Sequence, residues 1–135
     1  MNRIILGITI GALTAAAAGA IDFYVGGSYD GRLEEDGDVY VNGSYAGRVE
    51  DDGDVYVGGS FAGRIEEDGD VYKGGSFYAR VEEDGDLYLN GSFVGRIEDD
   101  GDVYRGGSFA AQAREMPLHG YQAVAAYFIF FHPLF

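Results

Sequence analysis

Cysteine is absent from all 135 residues. That removes disulfides, thiolate zinc sites and a cysteine nucleophile together. Histidine is almost absent too. His119 and His132 are too little material for a histidine-built catalytic or metal site. Positive charge is scarce, with 9 Lys and Arg against 23 Asp and Glu, for a formal net charge of −14. Such a chain lacks the basic face that phosphate recognition needs, which excludes nucleic acid as a partner. Attraction to anionic lipid headgroups through overall charge is disfavoured for the same reason. The length fits one ordinary domain.

What the chain does contain falls into three zones. Residues 1–20 place Arg3 before an uncharged run from Ile4 to Ala18 and end on the small residues Ala18-Gly19-Ala20. This reads as a secretory signal peptide, cleaved near Ala20. The alternative is an uncleaved N-terminal anchor, since the run from Ile4 to Ile21 is long enough to reach across a bilayer. Either way, residues 21–115 are expected to be exported to the periplasm, cell envelope or extracellular space.

That middle zone is an internal repeat. Gly-Asp-Val-Tyr or Gly-Asp-Leu-Tyr recurs from Gly37, Gly53, Gly69, Gly85 and Gly101, always 16 residues apart. Gly-Ser recurs with the same period, and six copies follow from Asp22. Tyr24, Tyr40, Tyr56, Tyr72, Tyr88 and Tyr104 never vary, whereas the last copy has Gln112 in place of arginine. Each copy holds two strand-like runs, such as Asp38–Val41 and Tyr45–Glu50, rich in residues that suit a pleated surface. Asn42-Gly43 and Asp51-Asp52-Gly53 supply turn chemistry.

Three-residue loops at both connections put Val39, Val41, Tyr45, Gly47 and Val49 on an inner face. Asp38, Tyr40, Ala46, Arg48 and Glu50 then share the outer face, with Asp38 opposite Arg48. A two-residue Asn-Gly turn mixes valines with Arg48 and is the less favoured register. The expected fold is therefore all-β: six 16-residue hairpins in a closed or partly open antiparallel meander. The rival is a β-solenoid, whose stacked coils would line up ladders of like charge.

The string Gly59-Ser60-Phe61-Ala62-Gly63-Arg64-Ile65, followed by Asp68-Gly69 and preceded by Val55-Tyr56, resembles the repeats of the four-fold β-flower proteins of bacteria. The likeness spans residues 22–112. It implies hairpins closing around a pseudo-symmetry axis, here with six copies instead of four, and it implies no activity.

Three groups of residues are candidates for function. The acidic turns offer calcium ligands: Asp36, Asp38, Asp52, Asp54, Asp68, Asp70, Asp84, Asp86, Asp100 and Asp102. Calcium takes six to eight oxygens, but the EF-hand and β-roll patterns are missing, and solvated turns that keep the protein soluble are the simpler reading. Five-fold repetition on turns does not encode a single catalytic carboxylate pair, so no catalytic residue is assigned. The second group is a Tyr–Arg surface: Tyr40, Arg48, Tyr56, Arg64, Tyr72, Arg80, Tyr88 and Arg96. Tyrosine and arginine dominate binding hot spots, although cross-strand packing also explains them. The third is the tail, 116–135, with the apolar run Ala123–Phe131 broken by His132-Pro133.

Membrane contact is open at both apolar segments, 4–21 and 118–135. The tail is otherwise a partner-binding segment or a strand packed on the repeats. The sequence as a whole points to a non-enzymatic structural or binding module at the cell envelope, without a cofactor, for a protein or glycan partner or for self-association. A calcium-dependent adhesive repeat is the alternative.

Overall fold

The computed structural model describes residues 19–117 and 120–135. Apart from Gly19 and Ala20, the expected leader or anchor lies outside the described residues. Twelve strands follow in order: β1 (Ile21–Val25), β2 (Ser28–Leu33), β3 (Asp38–Val41), β4 (Ser44–Val49), β5 (Asp54–Val57), β6 (Ser60–Ile65), β7 (Asp70–Lys73), β8 (Ser76–Val81), β9 (Asp86–Leu89), β10 (Ser92–Ile97), β11 (Asp102–Arg105) and β12 (Ser108–Arg114). Each pairs antiparallel with its chain neighbours, and β1 closes on β12 to make a barrel. The meander is closed, and the solenoid does not form.

Two kinds of turn alternate around the barrel, so one end carries the glycine turns and the other the acidic turns. The acidic connection is the expected three-residue loop. The Gly53 N–H donates to the Glu50 carbonyl at 2.9 Å, and Gly53 has φ 96°. This is the geometry of a type I turn closed by a left-handed residue.

The glycine connection differs from expectation. Val41 pairs with Ser44 and Tyr40 with Tyr45, leaving Asn42 and Gly43 as a two-residue turn with φ 51° and 85°. Positive φ at both central positions is the twist-matched hairpin turn. The register then slips, so that Val39 opposes Gly47 and Asp38 opposes Arg48. Ala46 is the extra residue of a β-bulge. Both registers weighed from sequence are therefore present in one hairpin. The short turn holds on one side of the bulge and the valine-in, arginine-out separation on the other. The same bulge recurs in every glycine-turn hairpin.

The bulge moves two residues off their expected faces. Tyr45 and its equivalents Tyr29, Phe61, Phe77, Phe93 and Phe109 are exposed on the outside, not buried within. Ala46, Ala62, Tyr78 and Val94 are instead partly buried against the core. A bulged strand bends and re-aims its side chains, and alternation across a regular strand cannot reveal that.

The inner face is Phe23, Leu33, Val39, Val49, Val55, Ile65, Val71, Val81, Leu87, Ile97 and Val103, all buried. Eight strands already make a barrel that side chains just fill. Twelve strands leave a wider lumen. The tail fills it, and does so as a helix, not as a strand: α1 (Tyr121–Ala126) runs on into a π-helix (Tyr127–Phe131). Val124, Ala125, Ala126, Tyr127, Phe128 and Ile129 are all but inaccessible. Burying each large side chain of this plug contributes ~1.5–3 kcal/mol.

The small inner residues make room for it. A β-carbon on Gly47 would lie 2.8 Å from Phe131, on Gly63 2.8 Å from Phe130, and on Gly95 2.7 Å from Phe135. Glycine recurs at this position because the plug's rings and the neighbouring strand's carbonyls come to the backbone itself.

Candidate functional site

The outer face repeats one constellation in five copies, and the sixth has Gln112 in place of the arginine. In the second copy, the Arg48 guanidinium pairs with Asp38 across the hairpin and lies 3.5 Å from Glu50. Arg64 and Asp54 meet at 3.0 Å, Arg96 and Asp86 at 2.7 Å, and Arg80 pairs with Asp70. On its other side each arginine opposes the tyrosine of the next copy, as Arg48 does Tyr56. The sequence-derived surface of Tyr40, Arg48, Tyr56, Arg64, Tyr72, Arg80, Tyr88 and Arg96 is thus brought together on the barrel wall. Its residues are half-buried, and the arginines are neutralised by neighbours in the same hairpin. Such partly exposed pairs are worth ~0.2–1 kcal/mol each.

Toward the glycine turns the wall becomes aromatic. Each invariant tyrosine meets its cross-strand partner edge-on: Tyr40 with Tyr45 at 5.7 Å, Tyr56 with Phe61 at 5.7 Å, Tyr88 with Phe93 at 5.6 Å. The outer ring of each pair stays open to solvent, 56% for Tyr45 and 53% for Phe61 and Phe93. Because all six hairpins share one register, these rings form a belt at a single level. Sequence reasoning placed them inside. The repeated Gly-Gly and Asn-Gly dipeptides, the signature of two-residue hairpin turns, were the signal that could have put them outside.

At the other end the acidic turns are already in use. Asp36 Oδ1 accepts the Asp38 N–H at 3.0 Å, and Asp52, Asp68, Asp84 and Asp100 do the same for Asp54, Asp70, Asp86 and Asp102. Of the second set, Asp38, Asp54, Asp70 and Asp86 pair with arginine, and Asp102 takes the Gln112 amide at 2.8 Å. Among the described residues no three His, Asp or Glu side chains converge as a metal site. Open clefts of ≈ 480 Å³ and ≈ 400 Å³ lie between neighbouring acidic turns. Arg96 lines the first and Arg48 the second, so each carboxylate-walled cleft contains its own cation.

One polar cluster has no counterpart in the other copies. Asp30 stands at the bulge position occupied elsewhere by alanine, valine or tyrosine. Its carboxylate accepts the Tyr127 hydroxyl at 2.5 Å and lies 3.0 Å from His132 Nδ1 through both oxygens. Burial, and then the bond to Asp30, push the Tyr127 hydroxyl well above the usual tyrosine value. At the same mouth the Tyr78 hydroxyl donates to the Phe135 carbonyl at 3.0 Å and Arg105 to the Leu134 carbonyl at 3.1 Å. These residues are departures from the repeat, and each holds the asymmetric plug in a nearly symmetric ring. His132 is engaged here; His119 lies outside the described residues.

Comparison with protein-family models, with curated proteins and with solved structures finds no match.

Proposed function

We propose that this protein is a non-enzymatic binding module of the cell envelope, exported through its N-terminal segment, with the aromatic belt as its working surface. The observation that carries this reading is the belt itself. Six large rings stand half-exposed at one level of a barrel whose inside is filled by its own tail. Each ring makes one edge-on pair within its hairpin and leaves about half its surface in water, and large aromatics supply much of the energy at binding surfaces. The filled lumen supports a role through the outer surface. So does the outward pairing of arginine with carboxylate, which presents no unbalanced catalytic group along the wall. Export is supported by Arg3, the uncharged run and Ala18-Gly19-Ala20.

Fractionation of the native host tests both parts. The protein is expected in the envelope or outside the cell, with its mass showing loss of the leader. The combined variant Tyr45→Ser, Phe61→Ser, Phe93→Ser is expected to fold and to leave the envelope fraction. Cytoplasmic protein with Met1 intact would refute export, and a variant that partitions like the wild type would refute the belt as the working surface.

A further inference from the structure

The two ends of the barrel differ in charge far more than the total suggests. Of 23 carboxylates, only Asp30 lies in the glycine-turn half; the rest sit in the acidic turns or at the strand ends beside them. Asp30 is itself only 13% exposed and bound by Tyr127 and His132. The glycine turns carry no charge. The strand ends next to them read Val25, Val41, Val57, Lys73, Leu89 and Arg105, so the charged side chains at these strand ends are cations, Arg105 exposed and Lys73 half-buried with its ammonium 4.6 Å from the centre of the Tyr78 ring. Leu134 and Phe135 add apolar surface at the mouth.

From this we infer that the glycine-turn end docks end-on against a lipid bilayer surface, with the aromatic belt at headgroup level and Lys73 and Arg105 facing phosphates. This rests on the belt being the working surface and specifies its partner. Three observations select a bilayer. The rings encircle the barrel at one level, so a plane perpendicular to the axis meets all six, whereas a globular partner covers only one side. Each belt ring, two tyrosines and four phenylalanines, stands edge-on to the invariant tyrosine of its hairpin, and amphipathic tyrosine beside apolar rings suits the boundary between headgroups and acyl chains. The charge separation also fits. An acidic turn is about 15 Å along a strand from the glycine end, roughly two Debye lengths at physiological salt. The negative end, which sets the net charge, is therefore screened from the membrane, and the cations are not.

The absence of tryptophan from the chain allows a site-specific test in the full-length protein. Phe61→Trp places a probe in the belt and Glu67→Trp one at the acidic end. Each is mixed with vesicles of phosphatidylcholine and a minority of phosphatidylglycerol, containing brominated acyl chains as quencher. The belt probe is expected to shift to the blue and lose emission, and the acidic-end probe to do neither. Because the comparison is between two ends of one molecule, binding through residues 1–20 cannot imitate it. The pair Lys73→Gln, Arg105→Gln should weaken quenching of the belt probe roughly thirtyfold in vesicle concentration.

Equal quenching at both ends, or none at the belt, would overturn the lipid assignment. A belt probe that shifts to the blue with protein concentration, without vesicles, would replace the bilayer by a second copy of this chain. If the serine variant leaves the host envelope but the belt probe ignores vesicles, the binding-module reading stands and the lipid partner fails.

Discussion

The ring of Phe130 lies 2.8 Å from where a β-carbon on Gly63 would sit, and the carbonyl oxygen of Tyr72 lies 2.2 Å from the same point. The repeat predicts a site that tolerates methyl, because Ala79 and Ala111 occupy its equivalents. The plug makes the six positions unequal. Gly63→Ala is therefore expected to destabilise by ~1–3 kcal/mol, with Gly63→Val worse. Ala62→Val, at the bulge position where Val94 stands in another copy, should change the melting temperature little. Thermal melts of the three decide it, and a Gly63→Ala protein as stable as wild type would refute the close approach.

The Asp30–Tyr127 bond supplies a coupling prediction. Tyr127→Phe strips the carboxylate of a buried donor, and Asp30→Ala strips the hydroxyl of its acceptor. Each single change should cost ~1–3 kcal/mol, and the double change clearly less than their sum. Denaturant unfolding of the four proteins measures this. Strict additivity would mean that the two groups do not hold the plug together.

Much of this architecture was legible from the 16-residue period. The number of hairpins, the buried valines, the inward glycine and the Asp38–Arg48 pairing all follow from alternation and charge sorting. Two things were not. The bulge after Tyr40 and Tyr45 breaks alternation within a single strand, so parity carried Tyr45 to the wrong face. The destination of the tail was hidden as well, because an apolar segment of that length suits a core helix, a membrane interface or a strand equally. The departures from the repeat, Asp30, Tyr78 and Arg105, were visible as exceptions, but only the lumen explains why each occurs where it does.

Alkaline stability follows from the plug's tyrosines. The hydrogen bond to Asp99, reinforced by burial and the charges of Asp99 and Asp84, pushes the Tyr121 hydroxyl up to about 12, and Tyr127 is raised as well. The folded state then holds these protons more tightly than the unfolded chain, whose tyrosines titrate near ~10. Their contribution is complete below about pH 10 and is lost as pH rises through the folded values. The melting temperature should fall steeply from about pH 10 to about pH 12. Tyr121→Phe should make that fall shallower while leaving the neutral-pH shape of the curve alone. An unchanged slope in the variant would dismiss Tyr121 as a contributor.

Gln112 already shows what the arginine position can accept. Its amide donates to Asp102 at 2.8 Å, in the place where Arg48 pairs with Asp38. Arg48→Gln should therefore keep a bond to Asp38 and cost less than ~1 kcal/mol, as expected for a half-exposed pair. Arg48→Leu should cost more, since it leaves Asp38 without its cross-strand donor. Melts at low and high salt separate the cases: the wild-type advantage over Arg48→Gln should shrink with salt.

Calcium is the remaining question at the acidic end. A calcium ion takes six to eight oxygens, and ligands that bind only the native state raise its stability by mass action. Here Asp36 is turned onto the Asp38 N–H and Asp38 onto Arg48, and the same arrangement recurs at Asp52, Asp54 and Arg64. Calcium would have to compete with a turn bond and an ion pair for these carboxylates at each site. Millimolar calcium is therefore expected to move the melting temperature no further than magnesium at the same ionic strength. A calcium-specific rise that saturates would show that these turns reorganise around the ion. It should then be reduced by the paired change Asp52→Asn, Asp54→Asn, which removes one of five equivalent turns, and left intact by Tyr45→Ser at the opposite end.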